Sequence, residues 1–302
     1  MAEVLVTGAA GFLGSAVCQA ARVEGSSVIG LVRPGELARP IEGVIYRELD
    51  WGDDTAVRAA FAAAAPERIV HCAGATPRAS ISTSALYEAN VGLVWRLLEH
   101  IASEVPAAGV VIVSSAAVYG SSPGIPTTEE EPLDPSTHYA WSKVMAEQAA
   151  RAFASVEGVH ACIARPFNLL GAGEPRGSVV SDVIEQIEAD AEVIRVRETA
   201  SVRDFIDVDD AARALLLLAE RGEPGQAYNV CSGTGVPIGG LVSALLKAAG
   251  SHASIAVADP HAQGSTSTGA PARLVRLGWR QSVALDDSLA RTLASVWSPR
   301  HR

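Results

Sequence analysis

The tightest constraint on this chain stands near its start. Val4-Leu5-Val6, a short apolar run, leads directly into Thr7-Gly8-Ala9-Ala10-Gly11-Phe12-Leu13-Gly14 and then into a helical stretch through Arg22. Glycines between a strand and a helix permit a tight turn and let main chain approach a neighbour closely. The helix that follows presents unpaired N–H donors and a partial positive charge to the same space, so an anion such as a pyrophosphate fits there. A glycine triplet alone is weak evidence, and a plain tight turn is the alternative. Its place after a strand and before a helix is what gives it meaning.

The rest of the first half keeps this rhythm. Residues 28–32, 44–46, 68–71, 110–113 and 160–164 read as further strands, with helices over about 55–64, 84–103 and from Tyr139 to just before Gly158. Apolar strands alternating with helices specify a parallel sheet covered on both faces, an α/β Rossmann-type doubly wound fold, with ligand at the carboxyl ends of the strands. Beyond Pro166 the rhythm breaks. Residues 171–177 read as a loop, 181–190 as a helix, 193–196 as a strand, 209–221 as an apolar helix, 228–230 as a strand and 239–250 as a helix, while 262–269 reads as a mobile polar loop. The expected division is a nucleotide-binding domain over 1–165 and a smaller substrate lobe over 166–302, some segments of which return to pack on the first domain.

Hydrophobic residues make up 48% of the chain and charged residues 19%, which excludes a disordered chain. A net charge of −10 with no basic cluster excludes a nucleic-acid footprint. Cys18, Cys72, Cys162 and Cys231 are isolated from one another and show no metal-ligand spacing, so they read as buried, reduced thiols and no metal is expected. No apolar run is long enough to span a membrane, and the start of the chain lacks a basic, cleavable leader pattern. The expectation is a cytoplasmic protein.

Cofactor choice is read at the end of the second strand, where a carboxylate would take the ribose 2′-hydroxyl of NAD. Here stand Val32-Arg33-Pro34. Arg33 suits a 2′-phosphate, so NADP(H) is preferred with NAD(H) as the alternative; a solvated surface arginine is the bland reading. Asp50-Trp51 lies where it can touch the adenine, or Asp50 can cap the next helix. Farther on, Tyr139 and Lys143 stand four apart on one helical face. An ammonium beside a phenol lowers its pKa from about 10, so the tyrosine becomes competent as acid or base, and the lysine can also hold a ribose. At the end of the fifth strand Ser114-Ser115 offers hydroxyls to a substrate oxygen. Each piece alone is ordinary; together, behind the glycine loop, they describe a site.

Residues 7–14, 113–120 and 139–143 resemble the extended short-chain dehydrogenase/reductase family of sugar-nucleotide epimerases, dehydratases and reductases. Ala164-Arg165-Pro166-Phe167-Asn168, Val202-Arg203-Asp204-Phe205-Ile206-Asp207-Val208 and Gly225-Gln226-Ala227-Tyr228-Asn229-Val230 extend the likeness over nearly the whole chain. The resemblance implies Ser115, Tyr139 and Lys143 as catalytic residues. It implies a cofactor site of Gly8, Gly11, Phe12, Leu13, Gly14, Arg33, Asp50, Trp51, Ala73, Tyr139 and Lys143. It implies a nucleotide-sugar substrate held by Ser115, Asn168, Val179 and Arg203, the amide and guanidinium suiting a diphosphate. A capping Asn and a surface ion pair are the bland readings of Asn168 and Arg203. Dehydratases of the family carry an acidic pair after the catalytic hydroxyl residue; Ala116-Ala117 stands there and cannot move a proton. Residues 177–182, 202–210 and 227–233 look like GDP-4-keto-6-deoxy-D-mannose reductases. The resemblance thus implies an NADPH-dependent 4-ketoreductase of a GDP- or dTDP-linked 4-keto-6-deoxyhexose. It also implies a homodimer paired through the helices near 84–103 and 139–156.

Two departures leave the nucleobase open: residues 264–269 read Gly-Ser-Thr-Ser-Thr-Gly where such reductases carry an arginine, a proline and an aspartate, and Glu198-Thr199-Ala200-Ser201 differs from the usual sequence before the Arg203-Asp204 pair. Three rival readings stand beside the reductase: an epimerase that retains and recycles NAD, a non-catalytic NADP-sensing regulator on the same fold, and a reductase of a small carbonyl compound.

Overall fold

The computed structural model describes residues 3–76, 81–120 and 126–296. Its strands run in chain order β1 (Glu3–Thr7), β2 (Ser27–Val32), β3 (Val44–Glu48), β4 (Arg68–His71), β5 (Gly109–Val113), β6 (Ala161–Pro166), β7 (Asn168–Leu170), β8 (Val193–Val196), β9 (Val202–Asp207), β10 (Ala227–Val230), β11 (Gly235–Pro237), β12 (Ser254–Val257) and β13 (Thr266–Ser267). The helices are α1 (Phe12–Val23), α2 (Asp54–Ala64), α3 (Thr83–Tyr87), α4 (Leu93–Glu104), α5 (His138–Val156), α6 (Val179–Glu188), α7 (Val208–Arg221), α8 (Ile238–Ala248), α9 (Ala272–Arg276) and α10 (Leu285–Val296).

Seven strands form a parallel sheet in the order β10-β6-β5-β4-β1-β2-β3. Side chains alternate across it, and both faces are apolar: Val4 and Val6 join Val17 of α1 and Leu215 of α7 on one side, and Leu5 joins Leu97, Leu98 and Phe153 on the other. The strand order reverses beside β1, where β2 lies on one flank and β4 on the other, so a crevice opens at the carboxyl ends of β1 and β4. This is the Rossmann-type architecture the alternation specifies.

A third apolar core lies apart from the main sheet, built from Leu170, Ile184, Ile194, Leu241, Leu245 and Leu289. Small sheets frame it, with β9 paired to β7, β11 and β13, and β12 paired to β8. The chain returns to the main sheet three times after Pro166: α7 packs on α1, β10 pairs with β6, and α9 packs on β10 with Leu274 in the same core.

Two expectations need correction. Residues 262–269 contain a strand: Thr266 and Ser267 pair in parallel with Val202 and Arg203, because the backbone of β9 offers ladder partners that no local pattern reveals. The helix expected near 84–103 is interrupted. A π-turn at Glu88–Gly92 separates α3 from α4 and turns Asn90, only 1% exposed, inward.

Candidate active site

The glycine loop closes as the spacing requires. Gly8 has φ +64°, and a Cβ there would lie 2.7 Å from the Ala73 nitrogen; a Cβ on Gly14 would lie 2.1 Å from the Gly8 carbonyl oxygen. Only hydrogen fits at either place. Gly11 caps α1 with backbone alone and without a side-chain hydrogen bond, so the first-turn N–H groups face the cleft. A pyrophosphate therefore fits the cradle by shape and by dipole. Phe12, Leu13 and Gly14 line the same cleft. Ala73 stands behind the loop, its N–H donating to Thr7 Oγ1 at 3.2 Å.

Arg33, Asp50 and Trp51 lie outside the cleft that takes in the glycine loop. Arg33 is largely exposed and ion-paired with Glu36 at 3.0 Å. The two readings of Asp50 resolve against capping: Asp53 caps α2 by accepting the Ala56 N–H, and Asp50 Oδ1 takes the Gly52 N–H at 2.9 Å. The cap lies three residues later because the chain makes another turn before the helix begins. Trp51 is half-buried and meets Phe61 edge to face.

Ser115, Tyr139 and Lys143 come together in one cleft of about 980 Å³ that also takes in the glycine loop. Ser115 is at the exit of β5, where it caps the short 3₁₀ turn Ala116–Tyr119 by accepting the Ala117 N–H. Its neighbour Ser114 is buried and its hydroxyl donates to Glu147 at 2.6 Å. Tyr139 is in the first turn of α5, which Thr137 caps. One turn on, Lys143 Nζ lies 6.0 Å from the Tyr139 ring centroid and donates to the Val113 carbonyl at 3.0 Å. Burial lowers its pKa to about 8, while Cys72 and Glu147 pull the other way. A proton donor and a cation thus share a partly dry cleft, the arrangement that acid–base chemistry on a carbonyl needs. Asn90 supports this wall. Its side chain accepts from Ala75 N–H at 2.8 Å and donates to Ser142 Oγ at 2.9 Å.

Asn168 and Arg203 line the far part of the cleft, with Val179 at the start of α6. Asn168 is no cap: it is on β7 and donates to the Asp204 carbonyl at 2.9 Å. The surface ion pair is not the role of Arg203 either; its guanidinium donates to Ser265 O at 2.6 Å and to Ser265 Oγ at 2.8 Å. The Ser/Thr/Gly segment that departs from the family pattern is therefore the support of this arginine. A side chamber of about 250 Å³ joins the cleft between Ser115 and Arg203, walled by Ala116, Ala117 and residues 265–267.

Some of the residues that position the site escaped the reading of the sequence. Asp204, wholly buried, accepts from the backbone of Ser232, Gly233 and Gly269 and so gathers two loops behind Arg203. Glu147 and Arg165 form a buried pair, with Nε–Oε1 at 2.9 Å and Nη2–Oε2 at 2.6 Å. Burial works against the Arg165 charge, yet the Glu147 and Tyr119 contacts raise its pKa above the ordinary arginine value. Tyr119 accepts from Arg165 at 2.8 Å and donates to Asn229 at 2.7 Å. A charge inside an apolar strand, such as Arg165 between Ala164 and Pro166, was the available signal: charge is buried only when paired. Among the described residues no group of His, Cys, Asp and Glu is placed to hold a metal, and no helix is long and apolar enough to cross a membrane.

Tyr139 and the buried Lys143, in one cleft with a glycine cradle at a strand-order reversal, suit an NAD(P)-dependent oxidoreductase. Residues 4–231 match the NAD dependent epimerase/dehydratase family, and the chain belongs to it. It is 32% identical over 251 residues to GDP-6-deoxy-D-mannose reductase of Pseudomonas aeruginosa, covering 78% of this chain and 82% of that one. It is 29% identical over 303 residues to a dTDP-4-dehydro-6-deoxy-D-allose reductase from a Streptomyces species, covering 94% and 90%. Among solved structures it is similar to UDP-glucose 4-epimerase of Thermus thermophilus in complex with NAD, with a TM-score of 0.85, 27% identity and coverage of 97% and 98%.

Proposed function

We propose that this enzyme reduces the 4-keto group of a nucleoside-diphosphate 4-keto-6-deoxyhexose, with NADPH as the preferred cofactor. The observation that carries the reading is the single cleft that joins Ser115, Tyr139 and Lys143 to the glycine loop at one end and to Asn168 and Arg203 at the other. The reductase names of the GDP- and dTDP-sugar relatives support it.

When bound, NADPH supplies the hydride. Tyr139 protonates the oxygen that becomes the C4 hydroxyl, and Ser115 donates a hydrogen bond to that oxygen as its charge develops. Lys143 keeps the tyrosine competent by its charge. Asn168 and Arg203 hold the diphosphate, so binding energy from a remote, unreactive group fixes the keto carbon in place. Ala116 and Ala117 leave the site without a group for dehydration, which separates this reading from a 4,6-dehydratase. Residues 166–302, apart from α7, β10 and α9, serve as the substrate lobe.

The test follows NADPH absorbance with GDP- and dTDP-4-keto-6-deoxyhexoses and identifies the product by NMR. The expected result is stoichiometric oxidation of NADPH with formation of a 4-hydroxy-6-deoxyhexose. Interconversion of sugar epimers without net consumption of NADPH would defeat the proposal in favour of an epimerase.

A further inference from the structure

The end of β2 holds more than an arginine. Arg33-Pro34-Gly35-Glu36 makes a tight turn in which the Glu36 N–H donates to the Arg33 carbonyl at 2.9 Å. Proline fixes the second position, and glycine at φ +74° takes the third, the combination a type II turn requires. The turn folds the Glu36 carboxylate back onto Arg33. There it accepts the backbone N–H at 3.2 Å, Nε at 3.3 Å and Nη2 at 3.0 Å. The acid that a 2′-hydroxyl site wants is therefore present, displaced four residues along the chain from Val32 and brought back by a Pro-Gly turn.

We propose that Glu36 sets the cofactor choice of this enzyme: its carboxylate competes with a 2′-phosphate for the Arg33 guanidinium and offers an acceptor to a 2′-hydroxyl. The inference rests on the reading that the cofactor's adenosine end reaches Arg33, and it deepens that reading from a preference to a balance. Exposure decides how strong the competition is. The Arg33 side chain is 80% exposed and that of Glu36 30%. An ion pair so open to solvent shifts an equilibrium by no more than about fivefold. A 2′-phosphate can therefore displace Glu36, but the displaced carboxylate remains beside it and repels it. The wild-type protein binds both cofactors, with a margin for NADPH narrower than a lone arginine would give.

The experiment measures dissociation constants for NADPH, NADH and 2′,5′-ADP by fluorescence and calorimetry on the full chain. No sugar substrate is needed. Glu36→Gln should raise the ratio of NADPH to NADH affinity by about two- to fivefold and tighten 2′,5′-ADP in parallel, by removing one competing charge. Glu36→Lys should move the ratio further in the same direction, and Arg33→Ala should abolish the tightening by 2′-phosphate. A Glu36→Gln ratio within twofold of wild type would overturn the proposal. A wild type that favours NADH would refute the NADPH preference alone; the shift on Glu36→Gln would still decide the role of Glu36.

Discussion

The Glu147–Arg165 pair allows a sharp test of what holds the cleft together. The side chain of Glu147 is 0% exposed and that of Arg165 2%, so solvent screens neither charge. Replacing one partner leaves the other buried and uncompensated, at about 3–5 kcal/mol. Arg165→Met leaves the carboxylate with the Ser114 hydroxyl and, at 4.0 Å, the partly exposed Arg151, and Glu147→Gln strands the guanidinium without a carboxylate. If the two losses added, the double variant would be about 6–10 kcal/mol less stable, comparable with the whole stability of many domains. The double variant, however, strands no charge. The amide oxygen introduced by Glu147→Gln remains an acceptor for Ser114, and only one amide group is left short of a partner, a loss of about 1–3 kcal/mol. The expected coupling is therefore several kcal/mol. Equilibrium urea unfolding of wild type, both single variants and the double variant, at one fixed cofactor concentration, measures it. Single variants within about 1 kcal/mol of wild type, or a double variant equal to their sum, would refute the reasoning. Because Ser114 adjoins Ser115 and Glu147 follows Lys143 by one helical turn, the single variants should also lose turnover.

Tyr139→Phe should lower turnover by roughly 10²–10⁴-fold with little change in NADPH affinity, and a variant within a few-fold of wild type would remove the tyrosine from the mechanism. Gly14→Ala should abolish cofactor binding in a fluorescence titration, since its Cβ meets the Gly8 carbonyl at 2.1 Å. An unchanged dissociation constant would show that the cradle is not where the cofactor sits. The rate constant kcat/KM should fall as pH rises through about 8, where the buried Lys143 gives up its proton, and Lys143→Arg should move that limb upward. The same lowered pKa means that the folded chain binds fewer protons than the unfolded chain between about 8 and 10.5, so the penalty of burying the charge is relieved as pH rises through that window. Static light scattering should find a dimer that Met145→Glu converts to monomer, because Trp95, Trp141 and Met145 stand 47%, 50% and 46% exposed on α4 and α5; a monomeric wild type would count against pairing through these helices.

Where local chemistry dictates structure, the sequence alone was sufficient. Glycines between a strand and a helix have one common use, apolar strands alternating with helices have one economical sheet, and a tyrosine four before a lysine must share a helical face. These patterns placed the glycine loop, the Rossmann-type sheet and the Ser115–Tyr139–Lys143 set. What the sequence left open depends on groups distant along the chain. Thr266-Ser267 is polar and glycine-flanked, and it becomes a strand only because β9 lies beside it. Asp50 stands as a candidate cap until the turn after it is folded and Asp53 takes that place. Arg203 gains its support from Ser265, 62 residues away, and Glu147 finds Arg165 and Ser114 only when α5 settles on β5 and β6. Burial, which turns an ordinary glutamate and arginine into a pair that organises the site, is a property of the packed chain and has no counterpart in any local pattern of residues.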